Sequence, residues 1–272
     1  MKSPLIDSHA HLGMGEFEAD RDQVVARAAE AGLVAIINVS IEPSDWERTV
    51  AISGQYPMVY AALGIHPNSA DQANPQTLRE LAERCGAVEE GMSASEDAPR
   101  VVAVGETGLD FYRDYVPHDV QRAAFRAQLD LARQLDLPVI VHNREAHADV
   151  LEVLRRDGAG TRGVMHSFSG DLDFAMECIE LGYLISLAGP VSFRNASDKH
   201  LIARSVPLEH LLVETDCPFL TPEPFRGRRN EPQYVQFTAR AIARERNIDE
   251  AEVCRATTVN ACRLFRLVVS DQ

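Results

Sequence analysis

Lysine is almost absent from this 272-residue sequence: of 27 basic residues, only Lys2 and Lys199 are lysines. Acids outnumber bases and leave a formal net charge of −14. That balance excludes a body coated in basic surface for wrapping duplex DNA. Long apolar runs are missing too. No stretch approaches the roughly 18 residues that span a bilayer, and Met1-Lys2-Ser3-Pro4 lacks the apolar core of a secretory signal. The expectation is a cytoplasmic protein with no membrane partner. Cysteine is sparse and unpatterned. Cys85, Cys178, Cys217, Cys254 and Cys262 are odd in number and contain no CxxC pair, which argues against a disulfide framework and for reduced thiols. Neither GxGxxG nor GxxxxGK[ST] occurs, so the usual nucleotide loops are excluded.

What is present is an ordinary globular composition, 45% apolar and 25% charged. The length suits a single domain over residues 1–272. Short apolar runs predict eight strands: Leu5–His11, Val34–Val39, Val59–Ile65, Val101–Glu106, Pro138–His142, Gly163–His166, Tyr183–Leu187 and Leu211–Asp216. Most are continuous runs, as strands covered on both faces require. Helical patterns fall between them. In His118–Asp136 the residues Val120, Ala124, Ala127, Leu131 and Leu135 recur at three- or four-residue steps, and Pro138 ends the pattern. Ser44 and Glu47 have capping-box spacing at the head of Ser44–Tyr56, and Asp249 caps the last helix. Further helices are expected at Glu145–Arg156, Leu172–Leu181, Ala196–Ser205, Pro232–Arg246 and Ile248–Phe265. Eight strands alternating with helices predict an α/β protein of the (β/α)8 TIM-barrel type, with an open doubly wound sheet as the alternative. Cys85–Pro99, rich in Gly, Ser and acids, reads as an exposed loop.

Polar residues gather at the carboxyl ends of these strands. His9 and His11 are two apart and so share one face of the first strand. His66, Glu106, His142 and His166 stand at or beside the ends of the third to sixth strands, and Glu214 and Asp216 at the end of the eighth. In a (β/α)8 barrel such ends open on one mouth. A buried imidazole or carboxylate needs a partner, and a metal serves several at once. The donors exceed what one tetrahedral zinc takes and suit two divalent ions. Imidazole-rich donors favour zinc or manganese; magnesium stays open.

His9-Ala10-His11, Gly64-Ile65-His66-Pro67, Gly105-Glu106-Thr107-Gly108-Leu109-Asp110, Pro138–His142, His166-Ser167-Phe168-Ser169-Gly170 and Glu214-Thr215-Asp216-Cys217-Pro218 follow one another in order. So do Pro224-Phe225-Arg226-Gly227 with Asn230-Glu231-Pro232, and Asn260-Ala261 with Leu264-Phe265. This series resembles the TatD-type metal-dependent hydrolases of the amidohydrolase superfamily, over nearly the whole chain. The resemblance implies a dinuclear site: His9, His11 and Asp216 on one ion, His142 and His166 on the other, and Glu106 bridging. It also implies nuclease activity, with DNA or RNA ends as substrate and no obligate protein partner. Related hydrolases often bridge with a carboxylated lysine. Lys2 and Lys199 stand at no predicted strand end, so Glu106 is left for that task.

Two ions would acidify a water and stabilise charge on a phosphoryl oxygen. Asp216 is the candidate general base and Glu214 its neighbour on the same strand face. His66 is a phosphate or leaving-group contact. Arg226 and Arg194 are candidates for phosphate oxygens, with Arg228 and Arg229 in the same loop as Arg226. Phe111 and Tyr112 either pack their loop or stack on bases. The competing readings are a hydrolase of carboxylic ester, lactone, amide or aminoacyl-tRNA bonds at the same site, and a non-enzymatic metal-dependent binding protein.

Overall fold

The computed structural model describes residues 3–86, 101–113 and 115–268; Lys2 and the predicted loop beyond Gly86 lie outside the described residues. In chain order the elements are β1 (Leu5–Ala10), α1 (Arg21–Ala31), β2 (Leu33–Val39), α2 (Trp46–Gln55), β3 (Val59–Leu63), α3 (Pro75–Arg84), β4 (Val101–Asp110), α4 (His118–Gln134), β5 (Val139–Arg144), α5 (His147–Asp157), β6 (Gly163–Met165), α6 (Leu172–Glu180), β7 (Tyr183–Leu187), α7 (Ser197–Ser205), β8 (Leu211–Val213), α8 (Val235–Arg246) and α9 (Glu250–Phe265). The strands form one sheet in chain order, the order of a (β/α)8 barrel. A doubly wound sheet would reverse its strand order, and this one does not. No helix among the described residues is long and apolar enough to cross a membrane.

Residue contacts divide the chain into two units, Met1–Ile37 with Met165–Gln272, and Asn38–Val164. In the first unit β7 and β8 run parallel, Ile185 opposite Leu211 and Leu187 opposite Val213. A parallel bridge joins Ala10 to Cys217. The buried Asn260 of α9 donates its amide to the carbonyls of Leu208 and Leu211, both at 2.9 Å, and so anchors the start of β8. Asp249 caps α9 by accepting from the Ala251 N–H.

In the second unit β4 lies between β3 and β5, parallel to both, with its register broken between Val104 and Thr107. Two glycines, one within the break and one just beyond it, let β4 come close to β5. A Cβ on Gly105 would stand 2.7 Å from the Ile140 Cβ, and one on Gly108 only 2.0 Å from the His142 carbonyl oxygen. Both glycines also have positive φ, 153° and 135°. From α4, two buried glutamines hold the strand ends. Gln128 accepts from the Ile65 N–H at 2.8 Å and donates to the Ile65 carbonyl at 3.0 Å and to Thr107 Oγ1 at 2.7 Å. Gln121 accepts from the Asp110 N–H at 2.9 Å and donates to the Asp110 and Val116 carbonyls. The buried stripe of α4 therefore runs through Gln121, Ala124, Phe125, Gln128 and Leu131, whereas Val120 and Ala127 are only half-buried.

Two expectations are corrected. Ser44 does not cap α2: it lies in the turn Pro43–Asp45 opened by Pro43, its hydroxyl donates to Glu42, and Asp45 stands at the N-cap without a side-chain bond. Helices α1 and α3 also join the set. Their apolar signal is thin: α3 buries Leu81 alone, and α1 buries Val24, Val25 and Ala28.

Replacing Gln128 by Leu should lower the unfolding free energy by about 2 kcal/mol, because both backbone groups of Ile65 lose their partners in a dry environment. Urea unfolding measures this. A loss below about 0.5 kcal/mol would show that Ile65 finds other partners.

Candidate metal centre

In the first unit β1 and the segment after β8 meet edge to edge. The Asp216 N–H donates to the His9 carbonyl and the His11 N–H to the Cys217 carbonyl, each at 2.9 Å. That pairing sets Asp216 beside the His9-x-His11 face. His9 Nε2 and His11 Nε2 stand 3.2 Å apart, and Asp216 Oδ1 lies 3.3 Å from His11 Nε2 and 3.9 Å from His9 Nε2. Both imidazoles are buried. Burial works against ionisation of Asp216, but the His11 hydrogen bond and the fields of His166, His9 and His11 hold its carboxyl below the ordinary value. Asp216 also has φ +55°, a left-handed backbone that only a surrounding framework sustains in a non-glycine residue.

His166 stacks on His9, ring centroids 3.9 Å apart. Its Nδ1 lies 3.2 Å from Glu214 Oε1, the same oxygen that accepts from the Ser167 N–H at 2.7 Å. Glu214 is fully buried and its Oε2 has no hydrogen-bond partner. Glu214 thus touches His166 and the Ser167 backbone, as the neighbour that orients an imidazole does. His9, His166 and Glu214 present one ligand atom each, all within 4.8 Å.

In the second unit Glu106 Oε1 lies 2.6 Å from His142 Nδ1 and 3.5 Å from His66 Nε2, and these three residues form a second cluster fit for an ion. His66 Nδ1 accepts from the Asn68 N–H at 3.0 Å. A neutral His66 ring thus carries its proton on Nε2 and offers a donor there, as a contact residue does. Asp110, which ends β4, was not anticipated. It is buried, places Oδ2 3.5 Å from His142 Nε2 and accepts from the N–H groups of Tyr112 and Arg113. Burial opposes its charge, yet His142 and these two N–H groups hold its carboxyl well below the usual range.

The donors of the first unit fit a metal ion by their chemistry, and in the second Glu106 and His142 do, His66 keeping its Nε2 proton. Two buried imidazole Nε2 atoms facing each other at 3.2 Å beside a carboxylate satisfy one cation better than one another. The lysine alternative does not fit: Lys199 lies in α7, and its Nζ donates to the Phe168 carbonyl at 3.2 Å.

The arginines part ways. Arg226 is exposed, its guanidinium 4.4 Å from the centre of the Phe193 ring, and Arg194 is exposed one residue along. Arg228 is exposed over Phe225. Arg229 is committed to structure: it pairs with Asp20 at 2.7 Å and Glu231 at 2.9 Å and donates to the Glu16 carbonyl. Phe111 packs on His118, and Tyr112, 64% exposed, lies beneath the Arg144 guanidinium.

The Arg229 network gives a signed pH prediction. The Arg229 hydrogen bond holds Asp20 below its ordinary value. Burial opposes ionisation of Glu231, but Arg27 and Arg229 hold it low as well. Two depressed carboxyls stabilise the fold above their unfolded values and lose that contribution as pH falls through the folded ones. Arg229→Ala should cost about 1 kcal/mol at pH 7, and the gap in urea midpoint should close below about pH 4. A gap that is constant from pH 7 to pH 3 would remove the charge argument.

The model of the TatD related DNase family matches residues 6–266. The chain is 39% identical over 264 residues to a Bacillus subtilis protein named an uncharacterized metal-dependent hydrolase, YabD, covering 97% of this chain and 99% of that one. It is 36% identical over 270 residues to a protein of Edwardsiella piscicida named a 3'-5' ssDNA/RNA exonuclease, TatD, covering 97% and 100%. The crystal structure of YjjV, a TatD homologue from Escherichia coli K12, superposes with a TM-score of 0.87 at 32% identity, covering 97% and 98%. The chain belongs to the TatD-related family of metal-dependent hydrolases.

Proposed function

We propose that this protein is a metal-dependent phosphodiesterase that hydrolyses the ends of nucleic acids or short single strands. The observation that carries the reading is the convergence of His9, His11 and Asp216, an imidazole pair and an ionised carboxylate placed for a divalent ion. Two divalent ions, zinc or manganese, would be held by ligands drawn from His9, His11, Glu106, His142, His166 and Asp216. The name of the Edwardsiella relative supports a nucleic-acid substrate. So do the exposed Arg194 and Arg226, whose planar forks suit phosphate oxygens.

Bound divalent ions supply Lewis acidity to a water and to a phosphoryl oxygen. The chain's own groups do the rest. Asp216, held ionised, takes the proton of the attacking water. His66 presents Nε2–H to a phosphate oxygen or to the leaving group. Glu214 and Asp110 hold the rings of His166 and His142 in orientation. Arg226 and Arg194 bind phosphates away from the point of cleavage.

The test has two arms. Elemental analysis of the purified protein should return two divalent ions per chain, and Glu106→Ala and Asp216→Asn should each lower that content and cut turnover at least 100-fold. The protein loaded with zinc or manganese is then given end-labelled single-stranded DNA and a panel of esters and lactones. Shortening of the labelled strand is expected. Turnover of an ester or lactone with the strand intact would replace this reading by the carboxylic-ester one, and intact metal content in both variants would show the ligands to be misassigned.

A further inference from the structure

Phe219 lies three residues beyond Asp216 and takes no part in the centre described above. Its side chain is about half exposed, one of few large apolar groups in that state among the described residues. Its ring stands 6.4 Å from that of His11, inclined by 66°. We propose that Phe219 is a stacking platform for the nucleobase next to the scissile phosphate. The proposal rests on the phosphodiesterase reading and names what that site holds besides phosphate.

The backbone that carries Phe219 is tied on both sides. Its N–H donates to the Asp216 carbonyl at 2.9 Å, closing a turn directly on the candidate ligand. Its carbonyl accepts from Asn230 Nδ2 at 2.5 Å, and the same amide donates to the Thr215 carbonyl at 2.9 Å. Asn230 is fully buried, and its own N–H donates to the Pro218 carbonyl. The next residue, Leu220, has φ +54°, and its carbonyl oxygen lies so near Gly189 that a Cβ there would be 2.0 Å away. Leu220 is thus locked in a conformation unfavourable to a branched side chain. The result is a ring on a fixed mount with part of its surface in water. Folding gains little from that exposed area, and a rigid aromatic loses little entropy when something covers it.

The occupant follows from the candidate ligand beside the ring and from the exposed charges its unit carries. A stacked single strand repeats every 3.4 Å or so. A ring 6.4 Å from a candidate metal ligand is therefore within one or two nucleotides of the reacting phosphate. The exposed cations of the same unit, Arg194, Arg226 and Arg228, answer to phosphates and not to an apolar acyl chain. Aromatic faces take any base, so the platform gives affinity for single strands without sequence preference.

The test compares the metal-loaded wild type with Phe219→Ala and Phe219→Trp. Stacking is worth about 1–3 kcal/mol per base, so Phe219→Ala should raise KM for a single-stranded oligonucleotide ~5- to 150-fold, with kcat less affected. Phe219→Trp should restore it. An oligonucleotide with abasic sugars at its terminal positions should bind the wild type poorly, and Phe219→Ala should cost it little more. An oligonucleotide carrying terminal 2-aminopurine, followed in stopped flow before cleavage, should be quenched by the wild type and by Phe219→Trp but not by Phe219→Ala. Equal losses on intact and abasic strands, no quenching by the wild type, or loss of bound metal in Phe219→Ala would overturn the proposal. So would a wild-type dimer, seen by sedimentation, that Phe219→Ala dissociates, because the ring would then face a second copy. A wild type that leaves every oligonucleotide intact while cleaving esters defeats the phosphodiesterase reading itself, and this is seen before any variant is made.

Discussion

One buried carboxyl group joins β1 to the segment after β8. Asp7 accepts from the Thr215 N–H at 2.8 Å, from Thr215 Oγ1 at 2.6 Å and, more weakly, from the His9 N–H at 3.3 Å. Thr215 Oγ1 in turn accepts from the Cys217 N–H. Burial pushes the Asp7 carboxyl up to about 8, against the pull of these donors. A carboxyl kept from water is costly, and the hydrogen bonds that offset the cost are directional. They fix Asp7 two residues before His9 and Thr215 one residue before Asp216. The same clamp therefore sets the register in which His9, His11 and Asp216 face one another.

The second unit reaches a comparable precision without a buried acid between strands. There the strand ends approach where glycine leaves room, at Gly105 and Gly108, and glutamines from α4 fill the backbone valences the crowding leaves open. Gln121 and Gln128 are seven residues apart, two turns of one helix, so one face of α4 serves both β3 and β4. Glu106 follows the first glycine and His142 adjoins the second. Rigid mounting of this kind is what a metal site demands of its ligands.

Much of this was legible because strands impose a simple rule. A period of two makes His9-x-His11 a shared face, and apolar runs that end in histidine or acid mark where strands stop. What was not legible depends on partners distant in sequence. Gln121 and Gln128 interrupt the apolar stripe of α4 and look like solvent positions until β3 and β4 are beside them. Ser44 and Glu47 have the spacing of a cap, yet Pro43 diverts the chain first. Arg226 and Arg229 belong to one loop and are chemically the same. Only the presence of Asp20 and Glu231 separates a structural guanidinium from an exposed one. Phe219 carried no signal at all, since an apolar residue after a strand is ordinarily packed.

The buried carboxylates of the strand ends sort themselves by what already occupies their oxygens. Asp7 has both oxygens engaged by Thr215, with the His9 N–H on one of them. Asp110 gives Oδ1 to two backbone N–H groups and turns Oδ2 to His142. Glu214 gives Oε1 to the Ser167 N–H and His166. A carboxyl oxygen engaged by fixed donors is a prop: it orients an imidazole or a strand and has less to offer a cation, whereas Glu214 Oε2, without a hydrogen bond, stays open to one. Glu106 and Asp216 differ, because the groups in front of their Oε1 and Oδ1 are imidazole nitrogens that are candidate ligands themselves. In each unit a carboxylate facing imidazoles is backed by others that hold a ring or a strand still, a division of labour that suits a candidate metal ligand. It is written in hydrogen bonds and not in residue type, which is why Asp and Glu at similar positions along the chain take opposite parts.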